Sequence, residues 1–199
     1  CGKTDTHTLD DFGLLTRKTV LAHSNFINDD DMELIKERGS GVAHCPLSNY
    51  FFSDAAFPLR RALEKGVRVG LGTDISGGPS ASLIENARSS VSVARAWEHG
   101  MDPALPRDER GGEDSRVDFR DAFYIATAGG ADVLDIPAGR FEVGYHFDAI
   151  AIDLNAEAAP VLLYDQIDSH EDVLQKTIML ATRANIAAVW VGGQRVSGN

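Results

Sequence analysis

A strand-like segment followed by a helix-like segment occurs three times in succession in the first half of the chain. The strand-like segments are short apolar runs at 18–23 (KTVLAH), 40–44 (SGVAH) and 67–74 (VRVGLGTD). The helix-like segments lie at 28–39, 57–66 and 82–100. Strands and helices in alternation are typical of a parallel β-sheet whose strands are joined by right-handed crossovers. The order of the elements therefore predicts an α/β fold.

The first two helix-like segments carry signals at their ends. Asn28 is an N-cap residue ahead of three aspartates in the first turn, and Gly39 is a natural stop. In the second segment Pro58 lies near the start and Gly66 at the end. The intervening stretch CPLSNYFFSDAA (45–56) predicts a loop.

Each of the three strands ends near a side chain that can bind a metal ion or transfer a proton, namely His23, His44 and Asp74. In a (β/α)8 barrel the carboxyl ends of the strands surround one opening, where active sites are built. A doubly wound sheet also has its sites at the carboxyl ends, but it spreads successive strands along an edge. We therefore expect these side chains to meet at the mouth of a TIM-type barrel.

The second half of the chain has a different pattern. It contains a loop or lid rich in proline, glycine and charge (101–116) and a helical stretch broken near Gly129-Gly130 (118–135). A strand-like alternation (139–154), an amphipathic helix (170–182) and a hairpin turning at Gly192-Gly193 (185–196) follow. We assign 1–142 to the α/β unit and 143–199 mostly to a small β-rich appendage.

Charge and cysteine content exclude several classes of protein. The 199 residues carry a formal net charge of −11, which argues against nucleic acid or an anionic membrane surface as the main partner. No apolar run approaches the roughly 20 residues that cross a bilayer, and no signal peptide is evident. The two cysteines, Cys1 and Cys45, imply no disulfide framework, so we expect a cytoplasmic protein.

Asp74 has two interpretations. It could accept hydrogen bonds from loop amides or cap the next helix, which is the commoner role of such an aspartate. Alternatively it could ligate a zinc ion through one oxygen and take a proton with the other. The nearby Gly72, Gly77 and Gly78 would let a substrate approach the backbone closely, which favours the functional interpretation.

The other candidates also have structural alternatives. His23 could be a buried imidazole satisfied by a carbonyl, or an acid–base partner of Asp74. His44 could serve the shape of the turn before Pro46. Cys45 has no second cysteine in a C-x-x-C pattern, so a small buried apolar residue is the better interpretation.

Two long stretches carry a resemblance to a known family. They are TVLAHSNFINDDDMELIKERGSGVAHCPLSNYFFS and GVRVGLGTDISGGPSASLIENAR. Both resemble the amidohydrolase superfamily, in its branch of mononuclear-zinc aminohydrolases, and GTDISGGPSASL is similar to the guanine deaminases of that branch. GRFEVGYHFDAIAID and VWVGGQRV are similar to strands of the superfamily's C-terminal sandwich.

This resemblance implies an eight-stranded barrel with one zinc ion, of which the chain would supply about strands six to eight and part of the sandwich. Asp74 corresponds to the zinc-ligating aspartate after strand eight, and His23 to the histidine after strand six that contacts the attacking water. His44, at the end of strand seven, would line the mouth and contact the substrate, as would Asp74. The family's H-x-H pair, third histidine ligand and glutamate have no counterpart here. We expect them upstream in a longer protein and expect the isolated chain to be inactive.

The activity implied by the resemblance is hydrolytic deamination of guanine to xanthine and ammonia, in purine catabolism or salvage. Asp74 would accept a proton from the attacking water, and His23 would stabilise the charge that develops. The partner would be a small-molecule purine, and the full-length enzyme a homodimer. Two alternatives remain open. One is a related hydrolase for a triazine, cytosine or an adenosine derivative, and the other is a metal-free structural relative.

Overall fold

The computed structural model describes residues 2–53 and 55–198, so that Cys1 lies outside the described part. The chain divides into two compact units, Cys1–Ile136 and Pro137–Asn199. The first is built on a parallel sheet with helices, and the second on an antiparallel sheet with one α-helix.

The boundary between the units lies before the position expected from the sequence, which placed it between residues 142 and 143. Two contacts tie the intervening residues to the second unit. The backbone N–H of His146 donates to the carbonyl of Pro137 at 2.7 Å, and the ring of Phe141 lies 5.7 Å from that of Phe147. The turn ahead of the strand-like segment therefore packs with that segment.

The parallel sheet of the first unit has three strands in the order of the chain. They are β1 (Val20–Ala22), β2 (Gly41–His44) and β3 (Arg68–Leu71). Leu21 aligns with Val42, which aligns with Val69. The predicted strand–helix repeat and its parallel pairing are confirmed.

Seven helices surround this sheet in the described part of the first unit. They are α1 (Asp5–Asp11), α2 (Asp29–Arg38), α3 (Pro46–Phe52), α4 (Leu59–Glu64), α5 (Leu83–His99), α6 (Phe119–Ala126) and α7 (Ala128–Leu134). Between α5 and α6 the residues at 101–116 are mostly exposed turns and bends, as expected. No helix in the described chain is long and apolar enough to span a membrane.

Local sequence explains where these helices begin and end. Asn28 and Asp31 form a reciprocal capping box at the start of α2, and Gly39 ends it in the left-handed conformation with φ 67°. The loop expected at 45–56 is wrong in its first half, because Pro46 occupies the first turn of α3.

One face of the sheet forms the main apolar core. Val42 and Val69 are fully buried there against α2 and α4, whose Met32, Ile35 and Ala62 are also buried. Each buried Val, Ile or Met side chain contributes roughly 1.5–3 kcal/mol by leaving water. The core therefore fixes β2 and β3 relative to the helices that follow β1 and β2.

The opposite face of the sheet is lined by small residues and packs against α7. Side chains alternate between the two faces along a strand, so Gly41 and Gly70 point away from the core that buries their neighbours Val42 and Val69. A Cβ atom added at Gly70 would lie 2.8 Å from the Cα atom of Gly130 in α7. The backbones of β3 and α7 approach so closely because Gly70 lacks a side chain.

The second unit contains an antiparallel sheet of β4 (Ala149–Ile152), β5 (Ile186–Val191) and β6 (Gln194–Gly198), with helix α8 (His170–Leu180) between β4 and β5. The expected hairpin is confirmed, since β5 and β6 are joined through Gly192 and Gly193, both at positive φ. Strand β4 is shorter than the expected stretch at 139–154.

Candidate active site at the strand ends

The side chains of His23 and Asp74 meet beside the carboxyl end of the parallel sheet. His23 directly follows β1, and its N–H donates to the carbonyl of Ala43 at 3.0 Å. Gly72, after β3, donates to the carbonyl of His44 at 2.8 Å. The sheet therefore holds both strand exits, and the distance from His23 Nε2 to Asp74 Oδ2 is 3.9 Å.

Both side chains are accessible to a small molecule. The imidazole of His23 is 40% exposed and the carboxylate of Asp74 is 38% exposed. A separation of 3.9 Å is too long for a direct hydrogen bond, but one oxygen atom could lie within hydrogen-bond distance of both groups. The pair can therefore contact a common water molecule, as expected from the sequence.

The backbone at this site is strained. Positive φ is uncommon for residues other than glycine, and of the five such residues in the described chain three are here: His23 (φ 65°), Ser24 (φ 56°) and Asp74 (φ 52°). Strain of this kind is found preferentially at functional sites. Its concentration at two of the predicted residues favours a functional role for this pair.

Two further residues contact the pair, and the sequence analysis missed both. The hydroxyl of Ser48 donates to Asp74 Oδ2 at 2.6 Å, and the amide oxygen of Asn49 accepts from His23 Nδ1 at 2.8 Å. They lie in the first turn of α3 and are 3% and 1% exposed, respectively. The signal that could have found them is Pro46, which begins a helix directly after a strand.

The structure does not bring His44 to this pair. His44 is 3% exposed, and its ring lies 5.4 Å from the ring of Phe57. Burial lowers the pKa of His44 to about 3, so its imidazole is neutral at physiological pH. It lines a separate cavity together with Trp97 and Ser90. A role for His44 in substrate binding stays a prediction.

Cys45 has the character of a buried apolar residue. Burial raises the pKa of its thiol, and the nearby charge of Asp74 raises it further. Its Sγ atom packs against the backbone of Gly72. A Cβ atom added at Gly72 would lie only 2.9 Å from this Sγ atom. A thiol with a raised pKa is a poor nucleophile and a poor metal ligand, as expected for this position.

The described side chains fit part of a metal site. Asp74 is exposed, and Ser48 engages only its Oδ2 atom, so that a carboxylate oxygen is free to ligate a cation. Among residues 2–53 and 55–198, no three His, Cys, Asp or Glu side chains are grouped so as to hold a metal ion. Zinc sites in proteins use at least three side-chain ligands. Asp74 can therefore serve as one ligand of a site that other side chains would complete.

Comparisons with known proteins identify the family of this chain. The model of the amidohydrolase family matches residues 2–196. A probable guanine deaminase of Schizosaccharomyces pombe is 34% identical over 192 residues, which are 95% of this chain and 34% of that protein. The chain thus spans about a third of the length of this curated relative.

Solved structures show the same likeness. A guanine deaminase of C. acetobutylicum with guanine bound in its active site is 27% identical, with a TM-score of 0.76 over 96% of this chain and 42% of that one. An adenosine deaminase of Xanthomonas campestris with bound zinc is 23% identical, with a TM-score of 0.78 over 98% of this chain and 40% of that one. The second likeness shows the fold alone.

Proposed function

The chain belongs to the amidohydrolase family, and from this premise we propose that it supplies His23 and Asp74 to the active site of a zinc-dependent guanine deaminase. The whole protein would hydrolyse guanine to xanthine and ammonia, in purine catabolism or salvage. The observation that supports this assignment is the approach of His23 Nε2 to 3.9 Å from Asp74 Oδ2, in a chain that is 34% identical to a probable guanine deaminase.

The reaction replaces an amino group by a carbonyl oxygen. Water adds to the ring carbon that bears the amine, the C–N bond breaks, and ammonia leaves with a proton that came from the water. A zinc ion supplies Lewis-acid activation of water in such a site, with Asp74 as one ligand and with histidine ligands from outside this chain.

The residues of this chain would position the attacking water and accept its proton. Asp74 is placed to accept a proton from the attacking water and to return it to the leaving amine. His23, on the other side of the same position, is placed to hydrogen-bond the attacking water through Nε2 and hold it in position. A glutamate outside this chain would protonate the ring nitrogen.

The partner proposed is a free purine base, not a nucleic acid. A formal net charge of −11 disfavours a polyanionic partner. A cytoplasmic location, inferred from the lack of a disulfide framework, and a homodimeric state, implied by the resemblance to the family, are part of the proposal. Sedimentation of the full-length protein tests the second of these.

Ammonia release from a panel of purines, pyrimidines and triazines by the full-length protein tests the assignment. We expect the largest kcat/KM for guanine. Preference for a triazine, a cytosine or an adenosine derivative would mean that the proposed substrate is wrong and that the proposed hydrolytic reaction is right. Absence of bound metal together with absence of turnover on the whole panel would instead identify a structural relative.

A further inference from the structure

Two adjacent residues of α3 each hold one member of the His23–Asp74 pair. Asn49 contacts the imidazole at 2.8 Å and Ser48 contacts the carboxylate at 2.6 Å. Both side chains are almost fully buried, so water does not compete for these contacts. Because the two residues are neighbours in one helical turn, α3 sets the two functional groups relative to each other.

The contact with Asn49 determines which nitrogen of His23 carries hydrogen. An amide oxygen is only an acceptor, so Nδ1 must donate to it and therefore bears the hydrogen. In the neutral imidazole the second nitrogen, Nε2, then has a lone pair and faces Asp74. The 3.9 Å between Nε2 and Asp74 Oδ2 agrees with this tautomer, since a hydrogen on Nε2 would favour a shorter, direct bond to the carboxylate.

The contact with Ser48 orients the carboxylate. The Ser48 hydroxyl donates to Oδ2, which is the oxygen nearer to His23. This bond fixes the rotation of the carboxylate and leaves Oδ1 free for another contact. The two oxygens of Asp74 are thereby made different from each other.

The first turn of α3, which carries Ser48 and Asn49, is held firmly in place. The backbone N–H of Asn49 donates to the carbonyl of Cys45 at 2.8 Å, and Pro46, buried at the start of α3, has its φ fixed by its ring. Strand β2 ends immediately before this turn, between the strands that lead to His23 and Asp74. The turn therefore belongs to the rigid framework of the sheet.

We propose that Ser48 and Asn49 are positioning residues, with Asn49 holding His23 as the Nδ1–H tautomer and Ser48 orienting the Asp74 carboxylate for reaction. This inference rests on the proposed function for its catalytic consequence, but the tautomer itself can be measured without turnover. Outer contacts of this kind commonly change activity 10- to 100-fold when they are removed.

The first test is the ring spectrum of His23 in the full-length protein with ¹⁵N-labelled histidine. Long-range ¹H–¹⁵N spectra at mildly alkaline pH distinguish the two tautomers of a neutral imidazole. We expect Nδ1–H in the wild-type protein and in Asn49→Asp, which keeps an acceptor oxygen. We expect a shift towards Nε2–H in Asn49→Leu, which has a similar size and no acceptor.

The second test is kinetic. Asn49→Leu and Ser48→Ala should lower kcat about 10- to 100-fold and change KM less than about threefold. Asn49→Asp and Ser48→Thr keep an acceptor and a hydroxyl and should restore much of the loss. Ser90→Ala is the matched control, because Ser90 is equally buried but donates to the Asn86 carbonyl of its own helix. Thermal melting of each variant identifies any that fail to fold.

The outcomes separate this inference from the proposed function. A wild-type protein that shows Nδ1–H at His23 but no turnover of guanine would overturn the function and support the positioning role of Asn49. A wild-type Nε2–H tautomer, or full turnover in folded Asn49→Leu and Ser48→Ala, would overturn the positioning role in an active deaminase.

Discussion

The imidazole of His23 and the carboxylate of Asp74 lie 3.9 Å apart, although strand β2 separates the strands that precede them. The two side chains span the carboxyl end of β2 and meet above the first turn of α3. Each is exposed on one side and held by a buried residue on the other. This arrangement provides an acceptor and an imidazole around one position that a water molecule could occupy.

Replacing either member of the pair should abolish most turnover in the full-length protein. We expect Asp74→Ala and His23→Ala to lower kcat/KM for guanine by roughly 10² to 10³, the usual effect of removing one electrostatic group from a reaction centre. Both side chains are more than a third exposed, so the melting temperature should change little. Ammonia release and thermal melting measure the two effects. His170→Ala, at an exposed histidine of α8, is the control, and near-wild-type turnover in either variant would refute the assignment.

The isolated chain of 199 residues should show negligible deaminase activity and weak zinc binding. Among its described residues no group of three ligating side chains is present, and a single carboxylate with a neighbouring imidazole falls short of the three or four ligands of a zinc site. Metal analysis after dialysis and ammonia release, each compared with the full-length protein, measure both properties. Efficient turnover by the chain alone would contradict the proposed division of ligands.

The sequence predicted His23 and Asp74 correctly as neighbours because the ends of parallel strands converge, a consequence of chain order and apolar pattern alone. Ser48 and Asn49 were missed because their role depends on contacts with distant residues. The stretch around them also lacks the spacing of apolar residues that marks an amphipathic helix.

The burial of His44 was not foreseen from the sequence. Its place at the end of a strand suggested the mouth of the barrel, but alternation along β2 puts His44 on the same face as Val42. Val42 is fully buried in the core. Because His44 lies two residues after the apolar Val42 in the same strand, the alternation predicts that its imidazole is buried.

The buried imidazole of His44 should make stability depend on pH. The pKa of His44 in the folded chain is about 3, whereas the unfolded chain has an ordinary histidine pKa of about 6.5. The unfolded state therefore binds more protons between these values. Stability is complete above about pH 6.5 and falls by up to about 1.4 kcal/mol per pH unit towards pH 3.

Replacement of His44 by an uncharged ring tests this dependence. Urea unfolding from pH 7 to pH 4 should show a smaller loss of stability in His44→Phe than in the wild-type chain. His170→Phe, at an exposed histidine, is the matched control and should leave the slope unchanged. An identical pH slope in His44→Phe and wild type would show that this imidazole is not a source of the pH dependence.

The close approach of β3 and α7 predicts opposite effects for two glycine-to-alanine substitutions. In Gly70→Ala the new Cβ atom would lie 2.8 Å from the backbone of Gly130, so α7 must move away from the sheet, at a cost of about 1–3 kcal/mol. In Gly130→Ala the nearest described atom is the Ile125 carbonyl oxygen at 3.5 Å, an ordinary contact. Alanine is also the better helix former by about 0.5–1 kcal/mol. Urea unfolding should therefore show Gly70→Ala destabilised and Gly130→Ala unchanged or stabilised. Unchanged stability in Gly70→Ala would mean that the gap between β3 and α7 is wider than this packing requires.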